Sequence, residues 1–491
     1  MGHSVDSAGL LVVLWLMISS WAYVGSSEGY ISYEISDKGL DFVKDLLIEQ
    51  AETSLVPLEL PNIEKTVKIP VIGTVSMEVS NVTLYRVHVT SSTVKTGDTG
   101  ILVDVAGATA NLTLHWGYSY STWLLPISIS DQGEAEVQIE GMEIGLVLDL
   151  KNQQGSLKLS LVDCGCYVKD LSIDLAGGAS WLYQGLVDAF EDKIASAVED
   201  AVSKKLIDAI EELDSFLQSL PKEVTVNNIS ALNVTIVGDP KLSNSSLELE
   251  INGLFSLKDE AAVSKLQHEN VQVPFSCNGP ARMVGISVHE NVLESASAVY
   301  FEANKMHWIV DNIPDQNLMN TAEWRFIIPQ LYKQYPNDDL NLNISVYSNP
   351  ILKIGEKQID ATIPLKVIID VLDDGQVVPV ACISVVISAA AYPEVSRNAL
   401  AVSVKLNEFT MSQDWSKIGN LHMHLVQPVI STLLRTVVLP YINLKLCKGF
   451  PIPIFHGFEL QNTELLCTDS RIIICSDVAF IETAQPHTVF V

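Results

Sequence analysis

Basic residues are in short supply: 30 Lys and Arg face 59 Asp and Glu, a formal charge of −29. A chain this acidic argues against nucleic acid and other polyanions as general partners, so any contact with anionic headgroups must come from a local basic patch. Cysteine is sparse and odd in number: Cys164, Cys166, Cys277, Cys382, Cys447, Cys467 and Cys475. That excludes a disulfide-built miniprotein. Bridges among Cys447, Cys467 and Cys475 are expected in an oxidising compartment, leaving at least one thiol free or paired with another chain. Although 48% of residues are hydrophobic, no run long enough to span a bilayer follows the N-terminus.

Catalytic signatures are missing too. There is no Gly-x-Ser-x-Gly elbow and no Gly-x-Gly-x-x-Gly loop, and His289-Glu290 lacks the second His of a zinc-protease helix. Cys164-x-Cys166 and His422-x-His424 lack usual zinc-ligand spacing, so strand cysteines and surface histidines are the expected reading. Asp370, Asp373 and Asp374 read as a solvated hairpin turn, since a calcium loop needs a longer ligand series. The expectation is a non-enzyme with no catalytic residues, cofactor or metal.

What is present begins with an apolar run, Leu10–Val24, followed by Gly25, Ser26 and Ser27. It reads as a signal peptide over 1–27, the rival reading being a membrane anchor, for which it is short. Asn-x-Ser/Thr acceptors at Asn81, Asn111, Asn228, Asn233, Asn244 and Asn343 agree with a secreted, extracellular glycoprotein.

The strongest periodic signal spans Ser180 to Leu220. Apolar residues step by four through Leu182, Leu186, Phe190, Ile194, Val198, Val202, Leu206 and Ile210, then Leu213 and Leu217, between charged residues. This predicts an amphipathic helix of about 40 residues and roughly 60 Å. A four-residue step drifts about 40° per repeat against 3.6 residues per turn, so the stripe winds and suits a twisted sheet. A coiled coil, whose seam repeats every 3.5 residues, fits less well. A long apolar helix on a bent sheet can enclose a tube able to hold lipid.

Around it, Ile31–Ile35 reads as a strand and Asp37–Glu52 as a helix with Leu40, Val43, Leu46 and Leu47 on one side. Residues 67–162 alternate like an antiparallel meander, with Val75, Met77, Val79, Val137 and Ile139 on one face. Strands resume at Val224–Val237 and Leu247–Leu254. A weakly periodic 256–280 reads as a linker between an N-terminal unit, 28–255, and a C-terminal one, 281–491. In the second unit a hairpin is expected at Asp374-Gly375. A helix should run from about Asn420 to Leu446, segmented by Pro428 and Pro440, before a strand-like tail at Phe455–Asp477.

Several segments in order resemble the family of bactericidal permeability-increasing protein and lipopolysaccharide-binding protein. They are Ile35-Ser36-Asp37-Lys38-Gly39-Leu40-Asp41, Lys68-Ile69-Pro70, Glu140-Gly141-Met142, Val438-Leu439-Pro440 and Lys448-Gly449-Phe450-Pro451-Ile452-Pro453. The resemblance implies an α+β fold: an elongated tandem of two pseudo-symmetric antiparallel β-barrels, each with a long amphipathic helix, joined by a central sheet. It also implies phospholipid in apolar pockets, and Leu40, Val43, Leu47, Leu186, Phe190 and Ile194 are the candidate lining. Recognition of lipopolysaccharide and a bacterial membrane surface is implied at the N-terminal tip, where Lys65, Lys68, Trp116, Tyr118, Tyr120 and Trp123 are the candidates. The aromatic run His115–Trp123 looks more like the plant branch than like Lys-rich animal members. Its rings either wedge into lipid or pack inside the barrel end. The family joins a strand cysteine to one in the long helix; this helix has none, with Val202 and Ser203 near the expected place. The expected role is antibacterial defence or innate immune sensing by a lipopolysaccharide and phospholipid binder. The alternative is an extracellular lipid carrier without microbial recognition.

Overall fold

In a computed structural model, residues 29–69, 73–121, 128–175, 180–258, 277, 282–312, 318–454 and 457–481 are described. Two-residue alternation builds the first sheet as expected. Val75, Met77 and Val79 are buried between exposed Thr74, Ser76 and Glu78, and Val137 and Ile139 between exposed Glu136, Gln138 and Glu140. Eight antiparallel strands result, dominated by Gly73–His88, Gly100–Ser121 and Ser128–Gln153. Where the last two pair, the register breaks between Val105 and Ala108 and again between Ala108 and Ala110. Gly107 and Gly141 take φ +69° there. Such bulges bend both strands at one level and curl the sheet. The helix Ser180–Ser219 closes the trough, burying Phe190, Ile194, Val198 and Val202 against the sheet. Its later stripe residues Ile210, Leu213 and Leu217 pack with Leu150, Leu159 and Leu247.

The second half repeats this plan. A seven-stranded sheet carries Ile359–Asp373, Gln376–Ser396 and Ala399–Ser416. Its Asp374-Gly375 turn has both residues at positive φ, the type I′ geometry that matches strand twist. Between the halves lies a six-stranded sheet ordered Ile236–Leu242, Ser246–Ile251, Ile31–Ser36, Val284–His289, Arg471–Phe480, Phe458–Thr468. Its two middle strands pair directly, Ile31 opposite Val288 and Ile35 opposite Val284, and each runs straight into a helix. Ser36 caps Asp37–Ser54 by accepting the Gly39 N–H. His289 Nδ1 caps Glu290–Glu302 by accepting from Asn291. Gly39 is required at this junction, because a Cβ there would meet the Met283 carbonyl oxygen at 2.4 Å. The fold is therefore α+β, a pseudo-symmetric tandem of two antiparallel barrels sharing a central sheet.

Three expectations change. The inner face of helix Asp37–Ser54 is Leu40, Lys44 and Ile48, while Val43 and Leu47 are 42% and 49% exposed. Lys44 takes the inner position because its Nζ donates to Asp41, to the Ser92 carbonyl and to Asp45, so it enters as a neutralised group. Cys475 bridges Cys277, whereas Cys447 and Cys467 are free thiols. Strand pairing decides this: Cys475 sits opposite Gly285 in the central sheet, close to where the chain enters that strand. The C-terminal helix starts at Met423, contains Pro428 without breaking, and loosens into a π turn at Leu434–Val438 before Leu439–Leu446. Pro440 has no N–H to donate and crowds the carbonyl four residues back, so the turn before it widens and Leu439 bonds to Leu434 instead. The tail is a hairpin, Phe458–Thr468 with Arg471–Phe480. The helix Glu290–Glu302 had no counterpart in the sequence reading. Nearly all of the linker 256–280, the leader 1–27 and Phe455 lie outside the described residues.

Candidate functional site

Near one end of the N-terminal barrel the long helix and the sheet do not meet fully. The gap is a narrow apolar crevice, partly open to solvent, with a cavity volume of about 40 Å³. Met77, Val79, Leu114, Trp116 and Tyr118 line it from the sheet, with Ile173 from the strand Asp170–Leu175. Val187, Phe190 and Ile194 line it from the helix. Alternation along Gly100–Ser121 explains the wall: Leu112 and Leu114 are buried, so Trp116, Tyr118 and Tyr120 face the same interior. Their cross-strand partners Val79, Met77 and Val75 are buried as well. The rings are half-buried and stack as a ladder, Trp116 on Tyr118 at 6.2 Å and Tyr118 on Tyr120 at 6.3 Å.

Gly133 makes the ladder possible. It lies opposite Trp116, and a Cβ there would come within 2.6 Å of the indole ring. With no Cβ present, the indole lies flat over this glycine while its Nε1–H donates to the Glu134 carbonyl at 3.2 Å.

Lys65 and Lys68, three apart on one strand, fall on opposite faces. Lys65 is half-buried opposite Met77, in a cross-strand row with Tyr118 and Asp131 that runs beside the crevice. Lys68 is exposed opposite Thr74. The same sheet carries the exposed carboxylates Glu64, Glu78, Asp131 and Glu134, the last within 3.3 Å of His115 Nε2. Trp123 and the side chain of Leu186 lie outside the described residues. Leu40 belongs to a separate cluster with Leu150, Leu159 and Leu247. The structure thus brings Trp116, Tyr118, Phe190 and Ile194 together, and leaves Leu40, Val43 and Leu47 apart from them. Met77, Val79, Leu114, Ile173 and Val187 were not singled out from sequence, although the first three were visible as the inward set of alternating strands.

Further along the helix, the Cys164 thiol lies near the Ser203 hydroxyl, which favours its ionised form. Burial, with the Asp163 charge, raises its thiol pKa against that influence. Burial beside Glu199 pushes Cys166 up to about 12. Both thiols are therefore protonated and unreactive at neutral pH. Among the described residues no three His, Cys, Asp or Glu side chains gather to hold a metal. The acceptors Asn81, Asn228 and Asn244 are exposed, while Asn111, Asn233 and Asn343 are half-buried. Asn233 Oδ1 accepts from Thr235, and Asn343 Oδ1 lies 2.8 Å from His307 Nε2.

Family models describe this architecture. The N-terminal domain of the LBP / BPI / CETP family matches residues 39–220, and its C-terminal domain matches 224–480. A putative BPI/LBP family protein of Arabidopsis thaliana is 51% identical over 96% of this chain and 98% of its own length. Human lipopolysaccharide-binding protein is 21% identical over 98% and 100%. A crystal structure of lipopolysaccharide binding protein, 18% identical, superposes with a TM-score of 0.63 over 93% of this chain and 100% of that one. With matched models from residue 39 to 480 and a half-identical relative along almost its whole length, this chain belongs to the LBP / BPI / CETP family.

Proposed function

We propose that this chain is a secreted, non-enzymatic lipid-binding protein of 28–255 and 281–491 units, acting on bacterial lipopolysaccharide and phospholipid in antibacterial defence or immune sensing. The apolar crevice carries the reading. An acyl chain laid between the aromatic ladder and Phe190 meets almost only hydrocarbon and ring surface, and about 0.8 kcal/mol accompanies each buried CH₂. Lys65, in the row of Met77 and Tyr118, stands where a headgroup phosphate would lie beside the chain. Relatives named bactericidal permeability-increasing protein and lipopolysaccharide-binding protein support the ligand class.

The alternative, a lipid-transfer carrier without microbial recognition, is favoured by one observation: four exposed carboxylates share this sheet with the two lysines. Native mass spectrometry with lipid extraction tests the shared claim. Secreted protein is expected to release bound phospholipid, and lipid-free material that resists loading would refute it. Vesicle assays then separate the two readings. Salt-sensitive binding to lipid A, weakened by Lys65→Ala with Lys68→Ala, supports recognition. Transfer between neutral vesicles with no lipid A preference supports the carrier.

A further inference from the structure

Between Asp414 and Glu459 the chain has no acidic residue, the longest such stretch in a sequence of charge −29. It contains Lys417, Arg435, Lys445 and Lys448, and includes Met423–Leu446, a described helix that, against the sequence expectation of no such run, is long and apolar enough to cross a membrane by length and composition, with mean hydropathy 1.5. This helix does not stand free. Val426, Ile430, Leu433 and Leu434 are fully buried in the second core. Asn443 pins its end, Oδ1 accepting the Val404 N–H at 2.7 Å and Nδ2 donating to the Val404 carbonyl at 3.1 Å.

The outer face of that pinned end is unusual in charge and polarity. Tyr441, Leu444 and Lys445, at i, i+3 and i+4, share one side, and Lys448 lies exposed in the turn just past the helix end. Leu444 is 63% exposed and Tyr441 42%. Lys445 Nζ lies 5.5 Å from the Tyr441 ring centroid. No lysine or arginine of this face, nor Arg435 earlier on the helix, pairs with a described carboxylate. Cations at a helix C-terminus do offset the macrodipole, but that leaves exposed Leu444 and the stretch's missing acids unexplained. Leucine and tyrosine rimmed by unpaired lysines is the pattern of an interfacial helix, whose apolar side enters the headgroup layer while cations meet lipid phosphates. We propose that this end of the C-terminal helix docks on an anionic lipid bilayer. The contact is separate from the crevice and holds whether or not the crevice is filled.

Co-sedimentation of the full chain with phosphatidylcholine vesicles, with and without phosphatidylglycerol, tests it. Binding is expected with phosphatidylglycerol only, weakening as salt rises. Lys445→Gln with Lys448→Gln is expected to reduce it roughly thirtyfold, at about 1 kcal/mol per cation. Leu444→Ser is expected to weaken it at high salt as well. Lys204→Gln with Lys205→Gln, exposed on the long helix of the other barrel, should leave it unchanged. All of these side chains sit at the surface, so unchanged unfolding midpoints verify the fold. Equal binding to both vesicle types, or wild-type binding by the Lys445/Lys448 variant, would overturn the proposal.

Discussion

At the N-terminal barrel end the apolar groups turn inward and the exposed surface is rich in carboxylates: Trp116 and Tyr118 line a crevice while Glu64, Glu78, Asp131 and Glu134 are exposed. At the C-terminal helix end the arrangement is reversed, with the interior filled by Val426, Ile430 and Leu433 and the surface offering Tyr441, Leu444, Lys445 and Lys448. Two halves with one plan therefore present opposite chemistry. An inward apolar wall suits single lipid molecules; an outward apolar and basic face suits a lipid surface. Barrel symmetry does not impose symmetry of function, because the fold dictates only inward positions and leaves outward ones to vary.

The contrast can be broken by mutation. Ile430→Ala should lower unfolding free energy by about 3 kcal/mol, since it opens a cavity in a filled core. Phe190→Ala should cost visibly less, because its ring already borders empty space. Denaturant melts of both variants compare the two interiors, and equal losses would mean the crevice is as tightly packed as the second core. Ser203→Cys should bridge to Cys164, whose thiol lies near the Ser203 side chain, and add about 2 kcal/mol under oxidising conditions. Non-reducing peptide mapping and a melt with and without reductant read this out. Gly133→Val should displace the indole at a cost of about 1–2 kcal/mol, shift tryptophan fluorescence and reduce lipid loading of the crevice. Phosphatidylglycerol vesicle binding should be untouched.

The smallest effect concerns Asp370, expected in a solvated turn but buried in a strand opposite Asn341, whose Oδ1 has no hydrogen-bond partner among the described residues. Burial raises the Asp370 pKa, so folding favours the protonated form. Its stabilising influence is complete below the ordinary carboxylate pKa and disappears as pH climbs through the raised value. Asp370→Asn removes the buried charge and should raise stability at neutral pH by about 1 kcal/mol. Melts repeated at falling pH should show that gain fading toward the ordinary carboxylate range.

Much of the fold was readable because it rests on short-range periodicity. The four-residue step through Phe190, Ile194, Val198 and Val202 marked the helix that closes the first barrel, and Asp374-Gly375 marked a hairpin. Helix Asp37–Ser54 was found but turned the wrong way. Nothing local distinguishes Val43 from Lys44 as the inward residue until Asp41, Asp45 and the Ser92 carbonyl converge on the lysine. The crevice was half-legible: its aromatic strand stood out, yet the choice between projecting and inward rings hung on register. One residue of slip exchanges the two faces. Cys475 was assigned partners near in sequence, while its actual partner Cys277 is 198 residues away.

Sequence alone determined most of the element order, the inward stripe of the long helix and the acid-free basic stretch from 415 to 458, because periodicity and charge are carried residue by residue. Tertiary structure alone decided which faces those elements turned outward, which cysteines met and where the sheet left a gap against the helix. Those outcomes depend on contacts between segments far apart in the chain, and the final packing of many side chains selects among faces that local patterns leave nearly equal.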